Sequence, residues 1–170
     1  MLAAADLTAA AEQTAATYYN SVDADQFCAH VWGDEGIHIG LYEGDHECIA
    51  AASRRTVEAL ATLIGPLEPG GVVMDLGSGY GGAARYLPSR HQLRVEAVTM
   101  SSVEHDRYRT LHHRSGLQDL IGVYDASFEA VPLPNGCADL GSPERCRSWG
   151  ASVGLEREVW DEQTAMMVRY

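Results

Sequence analysis

Up to residue 65 the apolar positions follow helical spacing or no clear period, and from residue 72 they gather into short runs separated by helix-like stretches. Residues 6–19 are rich in alanine and lack glycine and proline, which predicts a helix with a weak apolar face. Residues 23–32 predict a second helix, opened by acidic residues at the favourable end of the dipole and closed by Gly33. A glycine-rich loop follows. Asp45 is the expected N-cap of a third helix reaching Ile64, because Ile49, Ala52, Val57, Leu60 and Leu63 recur at three-to-four spacing; Gly65-Pro66 stops it. VVMDL at 72–76 predicts the first strand, residues 82–89 a helix and LRVEAVTM at 93–100 the second strand. Residues 101–115 predict the next helix, with Ser101 as N-cap, Glu104 completing a capping box and Gly116 as terminator. LIGVY at 120–124 and the run from Cys137 to Leu140, parted by the turn VPLPNG, predict third and fourth strands. Strands alternating with helices imply a parallel sheet. The expected architecture is α/β: a Rossmann-like doubly wound sheet of about four parallel strands over residues 66–140, a helical lid over 1–65 and a tail over 141–170.

Charge narrows the partners. The formal charge is −12, and the 12 basic residues are all arginine, with no basic run. That balance disfavours nucleic acid and anionic membrane surfaces. The alanine-rich start lacks the pattern of a secretory signal, and no apolar run approaches the roughly 18 to 20 residues that span a bilayer, so a cytoplasmic setting is expected. The 4 cysteines stand at irregular spacings without a C-x-x-C pair, which fits buried free thiols and no metal site.

The candidate chemistry begins with Asp75-Leu76-Gly77-Ser78-Gly79-Tyr80-Gly81-Gly82, between the first predicted strand and its helix. Gly77 permits a tight turn, Gly79 lets backbone approach a ligand, and the helix start at Gly82 offers unpaired N–H groups, with Ser78 in the same turn. Gly77, Gly79 and Gly82 also satisfy the dinucleotide spacing G-x-G-x-x-G, so the glycines alone leave the cofactor open. Two positions weigh against a dinucleotide. Asp75 would attract a cationic amino group and repel a pyrophosphate, and the second strand ends at Thr99-Met100 without a carboxylate for the ribose of NAD. A glycine turn with no ligand remains the plain alternative.

YYNSVDADQF at 18–27, AHVWGDEGIHIGLYEGDHE at 29–47, ASRRTVEALA at 52–61, VMDLGSGYGGAARYL at 73–87 and GLQDLIGVYDASFEAVPLPNGCADL at 116–140 together resemble a known family. It is the class I methyltransferases, and among them the sarcosine and dimethylglycine N-methyltransferases that make glycine betaine. The resemblance implies S-adenosylmethionine as cofactor, S-adenosylhomocysteine as product and a small amine as substrate. It would put Asp75, Gly77 and Gly79 at the methionine moiety and Thr99 and Met100 at the ribose. Asp125, Ser127 and Phe128 would bracket the adenine, although Asp125 also fits a simple turn cap. An amine that attacks a sulfonium methyl in line needs positioning more than acid or base groups, so no catalytic residue is assigned. A product that becomes a quaternary ammonium calls for aromatic faces, which Tyr18, Tyr19, Trp32 and Tyr42 would supply on the substrate side together with His38. Packing is the alternative for the aromatics, and a structural hydrogen bond for His38.

After Leu140 the family would enter a loop resembling W-S-Q-D-A-x-x-H, whereas this chain reads GSPERCRSWGASVGLEREVWDEQTAMMVRY. SPER at 142–145 resembles the family's residues on the far side of that loop, which implies a short internal deletion, and no likeness is found beyond Arg145. The expectation is a truncated or frame-shifted member whose sheet stops at its fourth strand with an open apolar edge. Residues 155–170 could form a helix with Leu155, Val159, Trp160, Met166 and Met167 partly toward the sheet. Two rivals stand: a binding module that keeps the pocket without methyl transfer, and a dehydrogenase, which the neutral Thr99 weakens.

Overall fold

The computed structural model describes residues 4–33, 36–64, 69–127, 131–133, 136–138, 158–159 and 167–169. Three helices lead: α1 (Ala4–Tyr19), α2 (Val22–Trp32) and α3 (Ile49–Ile64). Ser21 caps α2 by accepting the Ala24 N–H, and Gly33 ends it in the left-handed region at φ 78°. The third helix starts later than expected. Asp45 lies in a turn, where Glu47 folds back to accept the Glu43 N–H at 2.9 Å, and the Cys48 carbonyl takes the first helical bonds from Ala51 and Ala52.

Then come β1 (Val72–Leu76), α4 (Gly82–His91), β2 (Arg94–Thr99), α5 (Ser102–Ser115) and β3 (Ile121–Asp125), two β-α units in series. β1, β2 and β3 pair in parallel, with Asp75 opposite Ala97 and Thr99 opposite Asp125. One sheet face presents Val73, Val95, Ala97 and Ile121 to Val57 and Leu60 of α3, Ala84 and Leu87 of α4 and Tyr108 of α5. The crossovers through α4 and α5 return the chain to the same end of the sheet before each strand, which is what sets the parallel order. Ser101 caps α5 by accepting the Glu104 N–H at 3.1 Å, but the reciprocal half of the expected capping box is absent: the Glu104 carboxylate accepts the Thr99 hydroxyl instead.

Among the described residues there is no fourth parallel strand. Residues 136–138 form β5 (Gly136–Ala138), which pairs antiparallel with β4 (Val131–Leu133) as a separate hairpin. Only Pro134 and Asn135 separate the two strands, too little chain for the crossover that a parallel neighbour requires. The free edge of β1 is taken by the tail. β7 (Met167–Arg169) pairs antiparallel with β1, Met74 opposite Val168, and β6 (Glu158–Val159) pairs with β7, giving the order β3-β2-β1-β7-β6. Val159 and Met167 therefore belong to strands and not to the expected tail helix, because an unpaired edge offers backbone partners that a short polar helix cannot match. Leu155, Trp160 and Met166 lie outside the described residues. Cys28 is buried as expected, whereas Cys48 is exposed. Among the described residues no helix is long and apolar enough to cross a membrane.

Candidate cofactor site

Among the described residues, the turn that follows β1 and the end of β2 meet at one edge of the sheet. Three glycines shape the turn after β1, Gly77, Gly79 and Gly81 at φ 78°, 51° and 74°, values that side chains rarely adopt. The turn is pinned to the neighbouring strand, since Gly77 and Ser78 both donate their N–H to the Val98 carbonyl at 2.9 Å. Gly82 then opens α4.

Asp75 lies under this turn on the sheet face that meets the helices, only 2% exposed. Its carboxylate accepts the Ala84 N–H in the first turn of α4, and burial outweighs that bond, pushing its pKa up to about 6. Its Oδ2 has no hydrogen-bond partner among the described residues. A buried carboxylate with one idle oxygen is costly unless a cation or donor completes it, which is the chemistry that recognises an ammonium group.

At the end of β2, Thr99 is 3% exposed and its hydroxyl donates to Glu104 at 2.9 Å, while Met100 is half-buried. Asp125 ends β3 beside Thr99 and is exposed, and the Ser127 hydroxyl bonds Glu12 of α1. Phe128 lies outside the described residues. The fold therefore brings Asp75, Gly77, Ser78, Gly79, Gly82, Thr99, Met100, Asp125 and Ser127 to one edge.

The aromatic set is divided. Tyr18 and Tyr19 stack edge-to-face at 5.1 Å at the corner between α1 and α2. That corner sits on the start of α5: Asn20 Oδ1 accepts from Ser101 and Ser102 at 3.0 and 3.2 Å, and the Tyr19 carbonyl from Ser101 at 3.2 Å. Trp32 instead pairs with Phe27 at 5.9 Å and donates its indole N–H to the His38 carbonyl at 2.8 Å. Tyr42 is 52% exposed and belongs to neither pair. The His38 ring is half-buried, and burial lowers its pKa.

Residues 36–42 form a strap across α3. Thr56 donates to the Ile39 carbonyl at 2.6 Å and the Leu41 N–H to the Ala52 carbonyl at 3.1 Å. Its approach is close enough that a Cβ on Gly40 would stand 2.5 Å from that of Ala52, and a Cβ on Gly79 would stand 3.0 Å from Ile37 Cδ1. Ile37 thus covers Gly79. A cavity of about 540 Å³ opens between α3 and α4; its lining includes Trp32 and Gly82 but none of Asp75, Gly77 or Gly79.

Sequence reasoning missed a charged cluster that joins the helical segment to the core. Arg107 of α5 binds Asp25 of α2, and the Tyr80 hydroxyl donates to the same carboxylate at 2.8 Å. The Arg107 hydrogen bond holds the Asp25 carboxyl below its usual range, and burial with Asp25 nearby pushes Tyr80 up. The one signal available was Tyr80 itself, a large side chain inside a glycine turn.

Two successive β-α units, the first joined through this glycine turn, with a buried acid beneath it and neutral side chains closing β2, define the cofactor half of a class I methyltransferase. No protein-family model matches the chain. It is 42% identical to the dimethylglycine N-methyltransferase of Parasynechococcus marenigrum, over 95% of this chain and 78% of that protein. It is 50% identical to the sarcosine/dimethylglycine N-methyltransferase of Halorhodospira halochloris over 75% of this chain. A crystal structure of a candidate sarcosine dimethylglycine methyltransferase from Galdieria sulphuraria superposes with a TM-score of 0.61 at 39% identity, over 65% of this chain. The chain belongs to the S-adenosylmethionine-dependent sarcosine and dimethylglycine N-methyltransferase family.

The chain spans less than half of the last two proteins, 46% and 44%. The match to the Parasynechococcus protein runs over 219 aligned positions although this chain has 170 residues, so it passes over a stretch of the relative that is missing here. Covering 95% of the chain, it also reaches into the segment after Arg145, where the sequence alone offered no likeness.

Proposed function

We propose that this chain binds S-adenosylmethionine at the carboxyl edge of β1 and β2 and supports transfer of its methyl group to the nitrogen of sarcosine or dimethylglycine, toward glycine betaine. The observation that carries this reading is Asp75, a buried carboxylate with an idle oxygen directly beneath the turn of Gly77 and Gly79. Asp75 would take the cofactor's amino group. The turn glycines would let backbone N–H groups approach its carboxylate. Thr99, Met100, Asp125 and Ser127 would line the nucleoside side. The bound cofactor supplies an electrophilic sulfonium methyl; what this chain adds is position.

Rate in such a displacement comes from holding the amine in line, and protein charge near the forming ammonium assists it. Tyr18 and Tyr19, exposed at the lid corner beside the end of β2, are the aromatic faces best placed to meet that cation. The relatives are named as methyltransferases, which favours an enzyme over a module that only binds. A small-molecule acceptor fits the acidic surface, as does a cytoplasmic setting without nucleic acid. The test is incubation of the purified chain with methyl-labelled S-adenosylmethionine and glycine, sarcosine or dimethylglycine in turn. Label is expected in the last two; label in none of the three, with cofactor bound, would leave only the binding half of the reading.

A further inference from the structure

Two of the buried polar atoms left without a hydrogen bond among the described residues are Asp75 Oδ2 and the Tyr108 hydroxyl. Both side chains meet the first turn of α4. Asp75 accepts the Ala84 N–H there, and the Tyr108 ring lies so close to Gly81, the N-cap of the same helix, that a Cβ on Gly81 would overlap it. Burial of the phenol, with the Asp75 charge acting on it, disfavours its ionisation, so it stays a neutral donor. A neutral O–H and an acceptor that lacks a donor, buried at the same helix turn without bonding each other, are an arrangement that one bridging water satisfies. Two further buried atoms lack a partner among the described residues: Glu96 Oε2, on the opposite face of β2 from Ala97, and His112 Nδ1, one turn along α5 with its ring 5.0 Å from that of Tyr108.

We propose that Tyr108 is a positioning residue for cofactor binding, its hydroxyl donating to Asp75 through one buried water and keeping that carboxylate ionised and turned toward the cofactor's amino group. The inference rests on the reading of Asp75 as the anchor of that amino group. The charged and titratable groups that face the pair are Arg85 from α4 and His112 from α5, and among the described residues neither donates to Asp75 Oδ2. Removing the hydroxyl leaves the ring packed on Gly81 but withdraws a donor from the charged form of Asp75. The carboxyl then ionises at higher pH, and binding that needs the anion moves with it.

The test measures S-adenosylhomocysteine affinity by calorimetry from pH 5 to 8 in the wild type, Tyr108→Phe, Asp75→Asn and the double variant. Tyr108→Phe is expected to move the pH midpoint of binding upward by about 0.5 to 1 unit and to weaken binding at pH 6 by roughly twofold to fivefold. In the Asp75→Asn background, Tyr108→Phe should shift nothing. Urea unfolding across the same range without cofactor reads the same titration in the free protein. If the wild type binds no S-adenosylhomocysteine, the cofactor reading fails while the unfolding series still decides whether Tyr108 acts on Asp75. An unchanged pH dependence in Tyr108→Phe, or a shift that persists in the Asp75→Asn background, would overturn the proposal.

Discussion

Arg107 holds Asp25 by two hydrogen bonds, Nε to Oδ1 at 2.9 Å and Nη2 to Oδ2 at 2.6 Å, and its guanidinium lies over the Tyr80 ring at 5.1 Å from the centroid. One side chain thereby ties the second helix to the glycine turn. Hydrogen bonds to charged groups are worth about 1.5 to 3 kcal/mol each before solvent screening, and both partners here are partly shielded. Arg107→Ala should cost about 2 kcal/mol and loosen α1 and α2 from the core. Since Asp25 ionises below its ordinary 3.8 in the folded chain, its contribution is complete above that pH and lost as the pH falls below it. Urea unfolding from pH 3 to 7 should show the wild type losing stability at the acid end more steeply than Arg107→Ala, and equal slopes would discount the pair.

The regular units were legible because each had a local cause. Ser101 and Gly116 bound α5 where its cap chemistry places them, and the apolar runs at 72–76 and 94–99 became parallel strands. The glycine turn was legible for the same reason: three positive-φ positions leave little choice of residue. What failed was long-range. Nothing local tells that Asp25 meets Arg107, 82 residues away, or that Met167 pairs with Asp75 instead of joining a helix. Asp45 failed for a smaller reason, because Arg55 draws Glu47 into an ion pair with Nη2 to Oε1 at 2.5 Å and the chain turns there before α3 begins.

Gly81 and Gly116 separate backbone strain from crowding. Both have positive φ, 74° and 68°, but a Cβ on Gly81 would overlap the Tyr108 ring while one on Gly116 meets nothing within 4 Å. Gly116→Ala should cost the left-handed penalty alone, about 1 kcal/mol. Gly81→Ala adds displacement of a buried ring and should cost about 3 kcal/mol. Chemical denaturation that ranks the two equally would mean the ring moves aside freely.

Cofactor choice is open to a thermal-shift comparison. Ligand that binds only the folded chain stabilises by mass action, about 2.7 kcal/mol at a concentration about 100 times Kd. S-adenosylhomocysteine should raise the Tm, and NAD should not, because the pyrophosphate would face Asp75 and β2 ends at Thr99-Met100 with no carboxylate for the ribose. A larger shift with NAD would return the site to the dehydrogenases.

Asp75→Asn should change stability and binding in opposite directions. The folded carboxyl titrates at about 6 against an ordinary 3.8, so the stability it leaves intact below pH 4 is lost as the pH rises through 6. That rise corresponds to about 3 kcal/mol, an upper figure that any bound water or cation reduces. Asparagine carries no such charge, so at pH 8 the variant should unfold at higher urea than the wild type, and the difference should shrink toward pH 4. The same substitution removes the anion that meets the cofactor's ammonium, so S-adenosylhomocysteine affinity at pH 8 should fall by roughly 1.5 to 3 kcal/mol. A residue kept only for packing would lose stability when changed and leave affinity alone. A gain in stability with a loss of affinity is instead the signature of a charge buried at a cost for the sake of a ligand, and calorimetry beside urea unfolding at pH 5 and 8 reads both.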